Sequence, residues 1–375
     1  MPKRVFITVA ERSADAHAAM LVRELRKLDP TIQVDALAGD HLRDAGATVH
    51  HDTVSRAAMG LKAFKRAFEV KALLKWTDAF YARNKPDLHI CCDSWTMNKH
   101  FAKLAKRHGV RVLYYIAPQA WASREGRVKL LAKVADRLAC ILPFEEKFFR
   151  DRGVNATFVG HPLFDEVTHP PVPPRESGVG PIVALPCGSR KGVAKANFPR
   201  QLEVAERIRS EFPNARFHVP TTPQTHEVVT SLVRARSNFV VRQDAFDELI
   251  APCGLAITVS GTATLHIAAH GVPMIVVYHG SPILWHLVGR WMIRIRTFAQ
   301  VNLLANDGRD EPSRHIVPEF IPWYGSIDGV ANCAIEMLKN PSQLEDQRMK
   351  LRSLINRIGQ PGASRNAAHI AFELL

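Results

Sequence analysis

Short apolar runs recur along the chain. Each is closed by a polar or glycine-containing turn, and several lead into a stretch with helical spacing. The first is Arg4-Val-Phe-Ile-Thr-Val-Ala10. After the polar turn Glu11-Arg-Ser-Ala-Asp15, the residues Ala18, Leu21, Val22 and Leu25 repeat at helical spacing toward Leu28. A second run occupies 33–37 and stops at Gly39. Later runs at 89–92, 112–116 and 138–142 stop at Asp93, at Ala117-Pro118-Gln119 and at Pro143-Phe144-Glu145. Strands that read as unbroken apolar runs and alternate with helices predict a parallel sheet covered on both faces. Polar residues collect where these strands end, which is where ligands bind in such sheets.

The pattern changes between Leu163 and Pro181, where Pro170, Pro171, Pro173, Pro174, Gly178 and Gly180 crowd together. Such a composition predicts an extended linker. A second βα series follows, with strands expected at 182–185, 215–219, 239–242, 255–259 and 272–278. The expected fold class is therefore α/β: two Rossmann-like parallel-sheet domains facing a central cleft, a favoured place for ligands. The expected boundaries are 1–165, a linker at 166–180, a second domain at 181–340, and C-terminal helices at 341–375 that could pack back on the first domain.

Length agrees with two domains, since 375 residues exceed one ordinary core. None of the six cysteines forms a C-x-x-C pair, so neither a zinc cluster nor a disulfide framework is indicated, and a reducing cytosol fits. The sequence begins directly with a strand, without the pattern of a signal peptide, and no apolar run approaches a membrane span. The formal charge of +14 points to an anionic partner: nucleic acid, anionic lipid or a phosphorylated substrate. No stacking-aromatic or base-reading motif accompanies it, which argues against nucleic acid. Two stretches are both greasy and basic, Leu61 to Trp76 and Pro282 to Arg296. Each is either an ordinary packed helix with a solvated basic face or a segment lying in a membrane interface.

Candidate chemistry sits at the strand ends. In the second half, Leu185-Pro-Cys-Gly-Ser-Arg190 runs from a strand into Gly188, Ser189 and the cation Arg190. Glycine permits close backbone approach, serine donates, and arginine pairs with phosphate. In the same half, a strand ending at Val259 turns through Ser260, Gly261 and Thr262 into a helix. A helix start of this kind offers N–H groups and hydroxyls to an anion, most naturally a diphosphate. Neither a Walker loop nor a G-x-G-x-x-G is present, so ATPase and dinucleotide-dehydrogenase readings lose support. Asp93, ending a buried strand, is the best single candidate for a general base; an aspartate there can equally cap a helix or close a turn. Glu11 and Asp15 allow the same two readings. His266 and His270 share a helix face, but H-I-A-A-H lacks the glutamate of H-E-x-x-H, so no metal site is expected.

The motifs Leu185-Pro-Cys-Gly-Ser-Arg190, Ser260-Gly-Thr-Ala263 and Gly160-His-Pro162 resemble those of the lipid-A-disaccharide synthase family. So do Tyr115-Ile-Ala-Pro-Gln-Ala-Trp-Ala122 with Arg124, Leu142-Pro-Phe-Glu145, Asn302-Leu-Leu-Ala305 and Ile316-Val-Pro-Glu-Phe320, in the same order. The resemblance implies the GT-B glycosyltransferase fold and an inverting reaction without cofactor or metal. It implies a UDP-diacylglucosamine donor, a 2,3-diacylglucosamine 1-phosphate acceptor, and a β-1,6-linked disaccharide with UDP as products. It further implies a cytoplasmic protein, monomer or homodimer, peripheral on the anionic inner membrane. Asp93 then matches the family's essential aspartate. Gly188, Ser189, Arg190 and Ser260 to Ala263 match UDP-binding loops, and Asn302 matches an active-site asparagine. Glu11, Ser13 and Asp15 match a first loop on the acceptor side. Here that loop reads Ala10-Glu-Arg-Ser-Ala-Asp15 without its two glycines, Trp95 and Thr96 replace a Pro-Asp pair, and His266 stands where a ribose-holding glutamate is expected. Another UDP-sugar enzyme of the same architecture, such as an epimerase or a transferase with a different lipid acceptor, remains an alternative. So does a non-catalytic nucleotide-sugar-binding relative.

Overall fold

A computed structural model describes residues 2–55, 63–122, 126–167, 180–234, 236–280 and 296–375. The chain divides into two compact units, Met1–Glu166 with Gln360–Leu375, and Val167–Gly359.

The first unit is a parallel sheet of seven strands among the described residues: β1 (Arg4–Thr8), β2 (Gln33–Ala38), β3 (Thr48–Asp52), β4 (Leu88–Cys92), β5 (Arg111–Tyr115), β6 (Arg137–Cys140) and β7 (Ala156–Phe158). Their order is β3-β2-β1-β4-β5-β6-β7. Helix α1 (Arg12–Leu28) lies on one face and buries Ala14 together with Ala18, Leu21, Val22 and Leu25, the four whose spacing predicted it. Helices α2 (Asp40–Asp44), α3 (Ala63–Arg83), α4 (Trp95–Arg107), α5 (Gly126–Val134), α6 (Pro143–Arg150) and α7 (Leu163–Glu166) follow their strands. Every position of β4 is buried, as a central strand covered on both faces requires. The edge strands β3 and β7 are only partly buried, so their sequences lack the apolar run that marks the others.

The second unit repeats the plan with six parallel strands in the order β10-β9-β8-β11-β12-β13. These are β8 (Ile182–Ala184), β9 (Arg216–Thr221), β10 (Phe239–Gln243), β11 (Leu255–Val259), β12 (Met274–Val277) and β13 (Glu319–Phe320). The connecting helices are α8 (Lys191–Glu211), α9 (His226–Val233), α10 (Phe246–Ile250), α11 (Ala263–Ala269), α12 (Gln300–Ala305), α13 (Asp328–Lys339) and α14 (Pro341–Ile358). The C-terminal stretch is shared between the units. Helix α14 stays with the second, where Gln347 accepts from Met274 N at 2.6 Å and Arg348 donates to Gly271 O at 2.8 Å. Helix α15 (Ala363–Glu373) belongs to the first. The Asp165 carboxylate accepts from Ala363 N and Ser364 N at 3.1 and 2.8 Å, capping the helix start, and Ala367, Ala368, Ile370 and Ala371 pack into the core around α1.

Most of the linker expected at 166–180 lies outside the described residues, as does the basic stretch 282–295. No helix among the described residues is long and apolar enough to cross a membrane.

Candidate functional site

In each sheet the strand order reverses at one place. In the first, β1 is flanked by β2 and β4; in the second, β8 is flanked by β9 and β11. Connections leaving two such neighbouring strands go in opposite directions and open a crevice at their carboxyl ends, the usual ligand position in α/β sheets. All the candidate residues except Asn302 and His266 fall at these two places. Glu11, Ser13 and Asp15 follow β1, and Asp93 follows β4. Gly188, Ser189 and Arg190 follow β8, and Ser260 to Ala263 follow β11.

In the first unit the turn after β4 is strained. Asp93 and Ser94 both have positive φ, 48° and 46°, a conformation that side chains with a Cβ rarely adopt and never cheaply in succession. The strain is held from below. Asp93 N donates to Tyr115 O at 2.9 Å, and the Asp93 carbonyl accepts from the Tyr114 hydroxyl at 2.8 Å and from Asn98 Nδ2 at 2.9 Å. The same Asn98 amide lies 3.1 Å from Thr8 O and 3.0 Å from Cys92 O, so it ties the ends of β1 and β4 together. Its Oδ1 accepts from the Thr8 hydroxyl at 2.7 Å. With that proton committed, His89 Nε2–H must donate to Thr8 Oγ1 (2.9 Å), and His89 Nδ1 must accept from the Tyr81 hydroxyl (2.7 Å). Tyr81, His89, Thr8 and Asn98 are all buried. Burial holds His89 neutral, with its pKa lowered to about 3. None of Asn98, Thr8, His89 or Tyr81 stands out in the sequence; the one available signal is a polar side chain inside an apolar run, as at His89.

The first-loop residues divide in role. Ser13 is exposed in the opening turn of α1, whereas the Asp15 carboxylate is buried and accepts from Gly39 N at 2.9 Å and His41 N at 3.0 Å. Asp15 thus fixes the turn into α2, where a Cβ on Gly39 would meet its carboxylate at 2.6 Å. Desolvation raises its pKa, against those two backbone hydrogen bonds, which lower it. Another buried carboxyl, Glu145, accepts from Trp121 Nε1 at 3.0 Å and from Leu142 N at 3.2 Å; burial pushes it up to about 7.

The second unit reaches its crevice through glycine. Gly188 (φ 94°) and Gly261 (φ 148°) provide the turns after β8 and β11. Among the described residues, the N–H groups of Gly188, Ser189, Gly261, Thr262 and Ala263 donate no hydrogen bond. Ser189, Arg190 and Thr262 are exposed. Ser260 is engaged, its hydroxyl donating to Phe298 O at 2.9 Å. Asn302 is fully buried. Its amide donates to Val317 O and Glu319 Oε1, and its carbonyl accepts from Ile316 N and Val317 N, all at 2.7–3.0 Å. Glu319 in turn accepts from Phe298 N at 2.8 Å and Ala299 N at 3.1 Å. Asn302 therefore organises the segment that holds Ser260, and its amide has no spare donor to offer a ligand. His266 stacks on Phe246 (4.4 Å) and donates to Asp247.

Comparison with known proteins agrees with this organisation. Residues 5–373 match the model of the lipid-A-disaccharide synthetase family. A lipid-A-disaccharide synthase from Geobacter sulfurreducens is 35% identical over 383 residues, covering 99% of this chain and 97% of the relative. Among solved structures, the glycotransferase of kitacinnamycin superposes with a TM-score of 0.64 at 15% identity over all of both chains. A UDP-GlcNAc 2-epimerase from Neisseria meningitidis, bound to UDP-GlcNAc, gives 0.63 at 11% identity over 100% of this chain and 99% of that one. These two likenesses establish the fold, two parallel-sheet α/β units of the GT-B kind. The match along nearly the whole length decides the rest: the chain belongs to the lipid-A-disaccharide synthetase family of glycosyltransferases.

Proposed function

We propose that the chain transfers 2,3-diacylglucosamine from UDP to 2,3-diacylglucosamine 1-phosphate, with Asp93 as general base and the loops after β8 and β11 as the UDP site. The observation that carries this reading is the placement of both loop pairs at the reversal points of their own sheets, with the strained Asp93–Ser94 turn at the first. Strain of about 1–3 kcal/mol per residue persists where surrounding structure enforces it, and functional sites are where such residues cluster. The carboxylate of Asp93 takes the proton of the attacking acceptor hydroxyl as that oxygen bonds to the anomeric carbon. The anomeric C–O bond to the diphosphate breaks from the opposite side, which inverts the centre, and UDP carries away the electron pair. Arg190, with the N–H groups of Gly188, Ser189, Gly261 and Thr262, faces the charge that develops on the diphosphate, so these donors act on rate as well as on binding.

A lipid acceptor needs a lipid-facing surface. Phe68, on α3, is 71% exposed, and Lys71 and Lys75 on the same helix are exposed too. We assign this helix to peripheral contact with an anionic membrane surface.

The test is to incubate the purified protein with UDP-2,3-diacylglucosamine and the acylated glucosamine 1-phosphate and follow the disaccharide 1-phosphate and UDP by mass spectrometry. Product formation that survives Asp93→Asn in a folded protein removes the base assignment. No product from the wild-type protein in lipid-containing buffer removes the substrate assignment.

A further inference from the structure

We propose that Asp247, His266 and His270 form a binding site for a divalent transition-metal cation of the zinc type, on the second unit. His266 lies in α11 and His270, four residues on, caps the end of that helix, which places their rings on one face, with centroids 5.7 Å apart. Helix α10 brings Asp247 to that face. His266 Nε2 and His270 Nε2 each lie 2.6 Å from the same carboxylate oxygen, Asp247 Oδ1. One ligand atom from each of the three residues lies within 4.8 Å of the other two.

The surroundings suit a cation better than a simple ion pair. The His270 side chain is 1% exposed, so its Nε2 is aimed from the interior at one point. The His266 ring is held by the stacked ring of Phe246. Asp247 is 55% exposed, which leaves water access to the remaining coordination positions. Two imidazole nitrogens and one carboxylate oxygen select zinc, nickel or cobalt over magnesium and calcium, which prefer all-oxygen shells. Three protein ligands with water in the fourth position is an established zinc arrangement. Tetrahedral bonds near 2.1 Å would set the nitrogen and oxygen ligands roughly 3.4 Å apart. The exposed carboxylate then has to withdraw by about 0.8 Å from its present hydrogen bonds, a small rotamer adjustment. On binding, the proton that Nε2 of each ring now presents to Asp247 moves to Nδ1 of the same ring, which frees the Nε2 lone pair for the metal and lets each ring coordinate in its neutral form. The ion joins α10 to α11 across 19 and 23 residues of sequence.

The experiment uses the full chain, treated with chelator and titrated with ZnCl2 or MgCl2 at pH 7.5 by calorimetry, with Co2+ absorption as a second readout. The expected result is a zinc event of one equivalent, no magnesium event, and a cobalt spectrum of low coordination number. Asp247→Asn and His266→Gln each weaken the event by more than about tenfold, and His270→Gln removes it. The first two side chains are partly exposed, so those variants remain folded even if His270→Gln does not. Absence of a zinc event in the wild-type protein overturns the proposal. So does a zinc event unchanged in both Asp247→Asn and His266→Gln, or equal binding of magnesium. Because binding rather than transfer is measured, the outcome is independent of the assignment of Asp93.

Discussion

At the reversal point of the first sheet, two consecutive residues with side chains are forced to positive φ, and a buried network of Tyr81, His89, Thr8 and Asn98 holds them there. At the same point of the second sheet, Gly188 and Gly261 make the turns without that cost, and their loops leave N–H groups and hydroxyls exposed. Two units of one topology thus build their reversal points differently, and the proposed roles account for the difference. A base at Asp93 would have to be fixed in one orientation, which rigidity imposed from the core provides. A diphosphate at the second-unit loops would be recognised by many weak donors, which a presented backbone without side-chain bulk provides.

This contrast can be broken experimentally. The largest effect is expected from Asp93→Asn, which should lower kcat by about 10²–10⁴ while UDP affinity stays unchanged. A parallel loss of UDP binding would mean that the two crevices do not divide the work. Arg190→Ala should do the reverse, weakening UDP binding by about 10–100-fold through loss of a charge-assisted contact, as measured by calorimetry. Asn98→Ala should destabilise the first unit by about 2–4 kcal/mol, since a buried amide contacting three carbonyls is lost, and should lower kcat more than it raises KM. Unchanged denaturant midpoints would remove the network from the account. Gly261→Ala is the mildest change. Its φ of 148° disfavours a side chain, but an added Cβ meets no atom within 4 Å. A stability loss of about 1 kcal/mol with reduced UDP affinity is expected, less than for Gly188→Ala, where the Cβ would meet Val193 at 2.9 Å.

Acid should separate the units as well. His89 and His161 are lowered to about 3 and His17 to about 4, mainly by desolvation. A histidine depressed in the folded state contributes stability that is present above its unfolded pKa of about 6.5 and is lost as pH falls toward the folded value. Each therefore takes stability from the first unit progressively as pH falls from about 6.5 toward the folded value. Glu145, raised to about 7, works oppositely between pH 7 and 4.5 and offsets about one of the three. In the second unit His218 is also lowered, while the hydrogen bonds of His266 and His270 hold the Asp247 carboxyl well below the usual carboxylate range. Hydrogen exchange at pH 7 and pH 5 should show protection lost first in β1, β4 and β5. Earlier loss in β8 and β11 would reverse the assignment.

Much of the fold was legible because strands buried on both faces read as apolar runs, and because polar turns mark their carboxyl ends. The runs at 89–92 and 255–259 coincide closely with β4 and β11. The edge strands β3, β7 and β13 were not legible, since a short, only partly buried strand carries no such run. Among candidate residues, the positions of Gly188, Ser189, Arg190, Ser260 to Ala263 and Asp93 at strand ends could be read directly. The inward commitments of Asp15 and Asn302 could not, because a motif names a residue type and not the direction of its side chain.

The sequence by itself determined two βα series, the residues that end their strands, and the family pattern that runs through them. Each of these is encoded within a few adjacent residues, by hydrophobic period and turn chemistry. The tertiary structure alone decided that β1 lies beside β4 and β8 beside β11, so that loops roughly 70 to 80 residues apart share one crevice. It alone strained Asp93 over Asn98, joined Asp247 to the histidine pair, and kept α14 with the second unit while α15 joined the first. Those facts depend on packing between residues distant in the chain, which local pattern does not record.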